Sequence, residues 1–249
     1  RALLADPSFP HAILEGKPFR SCIRCNQACR DNNYGEVRCT VNPLTGLESR
    51  GSKFSQLKGE ICIAGAGIKG LEAAATAASM GLKAILYEAS EQIGGQLNEY
   101  SDTYKLNAFR PVLEYYGAVL KHFGADLRTG EKCDGAALYC MPDVIYPHLV
   151  PRDVVTIDSN VFQYHDEALR LSSECNIIMT ERSLNSLDRT RQIEFRKLAE
   201  KNGIKFVKIP EGKCDVKLYV KRQYDIRAAM VSGRNSLVSY LEAHLSEFQ

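Results

Sequence analysis

Hydrophobic and polar residues along this chain follow the periods of strands and helices in alternation. Short apolar runs predict strands just before Gly65, at Lys83–Tyr87 and at Ala125–Thr129. An alanine-rich stretch between the first two predicts a helix that ends near Met80. The same alternation starts again at Val154. Strands that alternate with helices of this length are typical of parallel sheets with helices on their faces, so the sequence predicts an α/β fold.

The other predicted elements complete two successive domains. In chain order they are a helix within Ala2–Pro10 that breaks at Asp6-Pro7 and leads into an extended segment, a linker at Gly46–Leu57, a helix at Leu106–Phe123, a strand at Ala136–Cys140, a strand at Val154–Asp158, a helix near Gln163–Ser173, a strand at Asn176–Thr180, a helix at Thr190–Asn202, a strand at Ile204–Ile209 and a closing helix at Tyr224–Leu245. We expect Lys213–Val220 to return to the first domain. The predicted boundaries are residues 1–58 for an N-terminal segment, 59–150 with 215–249 for the first domain, and 151–214 for the second.

A glycine loop joins the first predicted strand to the alanine-rich helix. Gly65, Gly67 and Gly70 form the pattern G-x-G-x-x-G, and Glu88 follows the next strand. In such a loop the first glycine permits a tight turn, the second lets a pyrophosphate approach the backbone, and the third lets helix and strand pack closely. The helix N-terminus offers donors to phosphates, and an acid at the position of Glu88 accepts from ribose hydroxyls. We interpret the loop as a dinucleotide site; the alternative is a glycine-rich turn without a ligand.

The second domain lacks this loop. After the strand at Val154–Asp158 the chain continues as Ser-Asn-Val-Phe-Gln163, and no glycine occurs between Gly135 and Gly203. Side chains in this position would block a pyrophosphate, and the carboxylate of Asp158 would repel it. The sequence therefore predicts a degenerate NAD(P)-type domain that has lost nicotinamide-nucleotide binding.

Four cysteines near the N-terminus are the strongest indication of chemistry. Cys22, Cys25, Cys29 and Cys39 have the spacing C-x2-C-x3-C-x9-C. Four soft thiolate ligands on one loop suit an iron–sulfur cluster or a structural zinc ion. Zinc usually takes two C-x2-C pairs, and the second pair is missing, so we favour a [4Fe–4S] cluster. Zinc, and free or disulfide-bonded cysteines, are the alternatives.

Composition narrows the class of protein further. The 249 residues carry a net charge of +2, with neither a basic surface pattern for nucleic acid nor an apolar run long enough to span a membrane. Five other cysteines are scattered in apolar surroundings, which an oxidising compartment would make hazardous, so we expect a cytoplasmic protein. The chain begins with Arg1, in the middle of a predicted helix, and we expect it to be a piece of something longer or a processed subunit.

Several motifs together resemble one family, the iron–sulfur members of the old-yellow-enzyme group, which contains 2,4-dienoyl-CoA reductase and trimethylamine dehydrogenase. They are ALLADPSFP at residues 2–10, C-x2-C-N-Q-A-C, C-x-V-N-P, the glycine loop with Glu88, and Gly94-Gly95. The resemblance covers the part of such proteins that follows an FMN-bearing (β/α)8 barrel, together with the last helix of that barrel. It implies a cluster segment, then a Rossmann-like domain for FAD or ADP, then a shortened second nucleotide domain.

The resemblance also implies roles for single residues. Cys22, Cys25, Cys29 and Cys39 match the cluster ligands. Gly65, Gly67, Gly70, Glu88, Gly95 and Gln96 match the site for FAD or for the ADP moiety alone. Arg1 matches an arginine that contacts the FMN phosphate at the end of the barrel. The barrel's own catalytic residues are outside this chain, so no catalytic residue is predicted here.

Two departures from the family bear on the cofactor. Cys133–Pro142 lacks an A-T-G sequence that contacts FAD, and Lys221-Arg-Gln-Tyr224 stands where a Gly-Asp pair normally holds the flavin. ADP therefore remains an alternative to FAD. The predicted function is an electron-transfer module of an FMN and [4Fe–4S] oxidoreductase. Its partners would be the barrel and an electron-transfer flavoprotein or ferredoxin. The alternatives are an NAD(P)H-dependent enoate or dienoyl-CoA reductase component that uses FAD, and a zinc-stabilised nucleotide-binding scaffold.

Overall fold

The computed structural model of the protein describes residues 1–30, 36–50, 54–100, 104–187, 189–210, 212–220 and 225–248. In chain order its helices and strands are α1 (Ala2–Ala5), α2 (Phe9–Glu15), β1 (Glu60–Ala64), α3 (Ile68–Ser79), β2 (Lys83–Glu88), α4 (Tyr104–His122), β3 (Asp126–Thr129), β4 (Leu138–Tyr139), β5 (Val154–Ser159), α5 (Phe162–Leu171), β6 (Asn176–Thr180), α6 (Arg189–Lys201), β7 (Lys205–Val207), β8 (Val216–Leu218) and α7 (Ile226–Ala243). The chain divides into two compact units, residues 1–143 with 225–249 and residues 144–224.

The first unit is built on a parallel sheet in the order β3-β2-β1-β4. Ile61 and Ile63 of β1 pair with Ala84 and Leu86 of β2, and all four side chains are buried. Alternate residues on both strands therefore share one core face, as expected for a strand period of two.

Helix α3 is the most enclosed element of this unit. Residues 70–78 are all buried, because alanines dominate the helix and let other elements approach on every side. Helix α7 packs against it so closely that a Cβ at Gly233 would lie 2.0 Å from the carbonyl oxygen of Lys69. The helix ends before Gly81, whose φ of +104° suits a glycine.

The second unit repeats the same topology. Its parallel sheet has the order β7-β6-β5-β8, and its core is formed by apolar side chains of β5, α5, β6 and α6. The predicted strand at Asn176–Thr180 is observed with those bounds, and the predicted helices of this unit are observed within one or two residues.

Three expectations are corrected by the structure. Pro10 lies in the first turn of a second helix, α2, so the extended lead does not begin directly after Asp6-Pro7. The strand expected at 136–140 is only two residues long. Lys213–Val220 does not return to the first sheet, because β8 pairs with β5 of the second. Residues 144–150 and 215–224 consequently belong to the second unit.

Candidate functional site

The glycine loop has the geometry that a close approach of backbone and ligand requires. Gly65 has a φ of +97°, and its N–H donates to the carbonyl oxygen of Tyr87 at 2.8 Å. A Cβ at Gly70 would lie 1.8 Å from the carbonyl oxygen of Gly65, so only glycine fits there. Gly67 caps the N-terminus of α3, and a Cβ at that position would meet nothing within 4 Å. The space in front of α3 is therefore open, and a side chain at position 67 would fill it.

Glu88 lies at the end of β2 beside this loop. Its Oε2 accepts from the N–H of Ala66 at 2.7 Å, and its Oε1 accepts from the N–H and the hydroxyl of Ser90, each at 2.9 Å. The carboxylate is thus fixed at the carboxyl edge of the sheet, next to the N-terminus of α3. This is the position from which an acid reaches the ribose of a bound dinucleotide.

The double glycine lies on the other side of the loop. Gly94 donates its N–H to the carbonyl oxygen of Ala66 at 2.8 Å and forms a parallel bridge with Gly67. A Cβ at Gly95 would lie 3.1 Å from the Cα of Gly67. Gln96 follows in the short 3-10 helix Gly95–Tyr100 and is half-buried. The predicted nucleotide-site residues are therefore brought together at one edge of one sheet.

The four N-terminal cysteines also share one place. They line a single pocket together with Arg1, Leu4, Ile23, Asn26, Ala28, Thr40 and Val41. Cys39 is buried, whereas Cys22, Cys25 and Cys29 are half-buried. All nine cysteines of the chain are free thiols. Residues 30–38 separate the third and fourth cysteines, and residues 31–35 of this loop lie outside the described residues.

Two residues of the cysteine loop have a left-handed backbone conformation. Arg24 and Asn26 have φ values of +57° and +55°, which is uncommon for residues with side chains. Successive N–H groups in an αR–αL or turn conformation form anion-binding concavities, which many iron–sulfur sites use. Asn26 Oδ1 is buried there without a hydrogen-bond partner.

The electrostatics of Cys39 combine two opposing effects. Burial raises the pKa of its thiol, and the neighbouring Cys25 and Cys22 raise it further. Hydrogen bonds from the backbone N–H groups of Val41 and Asn42 lower this pKa. Cys25 Sγ lies 3.1 Å from the hydroxyl oxygen of Thr40. Donors are therefore directed at the sulfur atom of Cys39, whereas the protonated thiol of Cys25 itself donates to Thr40.

The donor set fits a thiolate-bound metal centre in residue type and location. Within the described ranges, however, no three His, Cys, Asp or Glu side chains are arranged to hold a metal ion. The four sulfur atoms therefore share a pocket without having the geometry of ligands around a metal. Arg1 is exposed at the rim of the same pocket, beside Leu4.

The corresponding edge of the second sheet is filled by the protein's own side chains. Asp158 is fully buried near the end of β5 and accepts from Arg182 Nε at 2.9 Å, from Thr180 Oγ1 at 2.7 Å and from Tyr219 Oη at 2.6 Å. Hydrogen bonding to Arg182 lowers the pKa of Asp158 well below its usual range, because it outweighs the effect of burial; Tyr219 and Thr180 add to it. A buried carboxylate and its donors thus occupy the end of β5, where the first unit has its glycine loop.

Sequence reasoning missed one group in the first unit. Arg20, Glu72 and Tyr116 form a buried hydrogen-bonded cluster between the cysteine loop, α3 and α4. The sequence alone could not identify which residues pair, because the partners are separated by 44 to 96 residues. An acid inside an alanine-rich buried helix, as at Glu72, is the one feature that pointed to a buried partner.

Fold and glycine loop together define an α/β protein with a Rossmann-like nucleotide-binding domain. Residues 63–126, from β1 to the start of β3, match a model of the NAD(P)-binding Rossmann-like domain. The described part of the chain contains no helix that is both long and apolar enough to cross a membrane.

Relatives with known names are oxidoreductases. The chain is 36% identical to NADH oxidase of Thermoanaerobacter brockii over 156 residues, which are 58% of this chain and 24% of that protein. It is 33% identical to bilirubin reductase of Mediterraneibacter gnavus over 139 residues, 54% of this chain and 22% of that protein. The chain thus spans about a quarter of the length of the curated relatives it matches.

A solved structure has a similar fold. The structure of 6-hydroxypseudooxynicotine amine oxidase from Pseudomonas geniculata N1 matches 96% of this chain and 52% of its own, with a TM-score of 0.72 and 17% identity. At that identity the similarity is one of fold.

Proposed function

We propose that this chain is the electron-transfer part of an iron–sulfur oxidoreductase, in which Cys22, Cys25, Cys29 and Cys39 hold a [4Fe–4S] cluster. The observation that carries the proposal is that these four thiols line one pocket in the unit that also holds the glycine loop. The similarity to named oxidoreductases supports it. Membership of the iron–sulfur old-yellow-enzyme family, which the motifs indicate, is part of this proposal.

A [4Fe–4S] cluster accepts and releases one electron at a time. The chain's own residues would set how readily it does so. Burial at Cys39 and hydrogen bonds to cluster sulfur are two factors that set the potential of such a cluster. The backbone N–H groups of Val41 and Asn42 are directed at Cys39, and the hydroxyl of Thr40 can donate to Cys25 once that thiol has lost its proton.

The nucleotide site would hold FAD or ADP. The open space before Gly67, the donors at the N-terminus of α3 and the carboxylate of Glu88 suit an adenosine diphosphate. Gly95 borders the same space, and Gln96 follows it in the chain. The segment 221–224, in which the family's flavin-holding pair would fall, lies outside the described residues.

The remaining redox partners would lie outside this chain. The proposal includes an FMN-bearing barrel, to whose FMN phosphate Arg1 would donate, and an electron-transfer flavoprotein or ferredoxin. The matched relatives are about four times as long as the segment they share with this chain, which leaves room for a barrel in them.

In this proposal the second unit does not bind NADH. Asp158 and its donors fill the edge at which a dinucleotide would have to place its phosphates. The second candidate function is an NAD(P)H-dependent reductase component in which FAD on this chain takes the hydride. The names NADH oxidase and bilirubin reductase favour it.

Metal and nucleotide analysis of anaerobically purified protein tests the proposal. We expect about four irons and four acid-labile sulfides per chain, with FAD or ADP released on denaturation. Changing Cys22→Ser should remove most of the iron, whereas the matched change Cys175→Ser, in the second unit, should leave it. One zinc per chain without iron would select the zinc-stabilised scaffold instead.

A further inference from the structure

A buried ion pair joins the cysteine loop to helix α3. Arg20 lies two residues before Cys22, and its Nη2 donates to Glu72 Oε2 at 2.6 Å. The Arg20 side chain is 14% exposed and that of Glu72 is 2% exposed. Water therefore screens this pair far less than a surface ion pair.

The same guanidinium contacts the other end of the loop. Arg20 Nη1 donates to the carbonyl oxygen of Val41 at 3.1 Å, and Val41 lies two residues after Cys39. The backbone N–H of Arg20 donates to Asp6 Oδ2 at 3.0 Å. One side chain thus holds both the entry and the exit of the segment that contains all four cysteines.

Glu72 is itself held in place on a rigid element. Tyr116 Oη donates to Glu72 Oε2 at 2.6 Å, and α3 is buried along almost its whole length. By contrast, residues 17–26 form neither helix nor strand and have no backbone ladder of their own. The loop can therefore take its position from Glu72, whereas the reverse is not possible.

Stability alone explains this pair poorly. Burying two charges costs desolvation, and a well-packed apolar pair of similar size stabilises a protein as well or better. An apolar pair could not, however, donate a hydrogen bond to the Val41 carbonyl oxygen or fix the orientation of the loop. The specific consequence of the pair is the position of the loop.

We propose that Arg20 and Glu72 are positioning residues for the metal-binding loop, and that they hold Cys22 and Cys39 at the separation that the bound centre requires. The existence and the identity of that centre rest on the proposed function. The positions of the thiols themselves can be tested without any metal.

The test compares alkylation of single cysteines in the reduced, metal-free full chain. Iodoacetamide rates at each cysteine are read by peptide mass spectrometry in the wild type and in Glu72→Gln. We expect the rates at Cys22 and Cys39 to rise at least fivefold. The matched control is Glu167→Gln, another buried ion-paired glutamate, which contacts Arg170 in the second unit and should leave both rates unchanged.

A double variant separates position from stability. Arg20→Met with Glu72→Leu replaces the ion pair by apolar groups, and we expect it to unfold in urea at the wild-type midpoint or above. Its alkylation rates at Cys22 and Cys39 should nevertheless stay raised. If the double variant restores both the midpoint and the wild-type rates, or if folded Glu72→Gln alkylates as the wild type does, the positioning role is refuted.

Iron measurements distinguish this inference from the proposed function. In iron-loaded protein, a chelator such as bathophenanthroline should remove iron at least fivefold faster from Glu72→Gln than from the wild type, with Glu167→Gln unchanged. If the wild type holds no iron at all, the proposed function fails, and the alkylation rates still decide whether Arg20 and Glu72 position the loop.

Discussion

At the residue scale, two glycines of the glycine loop should differ in how well they tolerate a larger side chain. Gly67→Ala adds a methyl group to open space at a helix cap with a φ of −68°, so the fold should tolerate it at a cost of about 0.5–1 kcal/mol. Gly70→Ala places a Cβ 1.8 Å from a carbonyl oxygen and should cost about 3 kcal/mol or more. Urea unfolding measures both changes.

Although Gly67→Ala should cost little stability, it should impair ligand binding. Gly67→Ala should weaken ADP binding roughly tenfold or more, about 1.4 kcal/mol, because the methyl group occupies the space that a pyrophosphate needs. Calorimetry with ADP on the folded variant measures this affinity. Wild-type affinity in Gly67→Ala would mean that no phosphate approaches the backbone at this position.

At the element scale, the contact between α3 and α7 depends on one small residue. Gly233→Ala would bring a Cβ to 2.0 Å from the Lys69 carbonyl oxygen, so the helices must separate, and we expect a loss of about 2–3 kcal/mol in the free energy of unfolding. Gly117→Ala, in α4 with nothing within 4 Å, should instead stabilise by about 0.5–1 kcal/mol. Equal effects in urea unfolding would show that the helix contact is not tight.

The second sheet should be sensitive to acid. Hydrogen bonds lower the pKa of Asp158 in the folded protein below its unfolded value of about 3.9. Its contribution to stability is therefore complete above the unfolded pKa and is lost as the pH falls below it. We expect the unfolding midpoint of the wild type to fall between about pH 4 and pH 2 more steeply than that of Asp158→Asn. Parallel pH profiles would contradict the assignment.

Some elements could be predicted from neighbouring residues in the sequence, whereas others depend on contacts between distant residues. The glycine loop, α3 and β6 are encoded by glycines, alanines and apolar runs within a few residues, and their bounds could be predicted. The pairing of β8 with β5 could not be. It is fixed by contacts such as Thr156 N–H to Asp215 Oδ2 at 2.8 Å, between residues 59 apart in the chain.

The same distinction holds within the candidate site. Cysteine spacing was enough to predict which four thiols come together, because all lie within 18 residues. The ion pair of Arg20 and Glu72 joins residues 52 apart, so it needed the fold. The left-handed conformations of Arg24 and Asn26 were also unpredictable, since neither residue type requires them.

At the scale of the whole molecule, the two units share a topology but differ at the carboxyl edge of their sheets. The first has an open glycine loop with Glu88, and the second has a buried Asp158 surrounded by donors. The cysteine pocket lies in the first unit. This asymmetry is the basis of our central claim, that the chain passes single electrons through a cluster and does not itself take a hydride from NADH.

Reduction of the anaerobic protein, followed by electron paramagnetic resonance, tests that claim most directly. Dithionite should produce the signal of a reduced [4Fe–4S] cluster at about one spin per chain, and the Cys22→Ser variant should lack it. NADH added in excess to the 249-residue chain should leave the cluster oxidised. Rapid appearance of the same signal with NADH would contradict the account and select the NAD(P)H-dependent reductase.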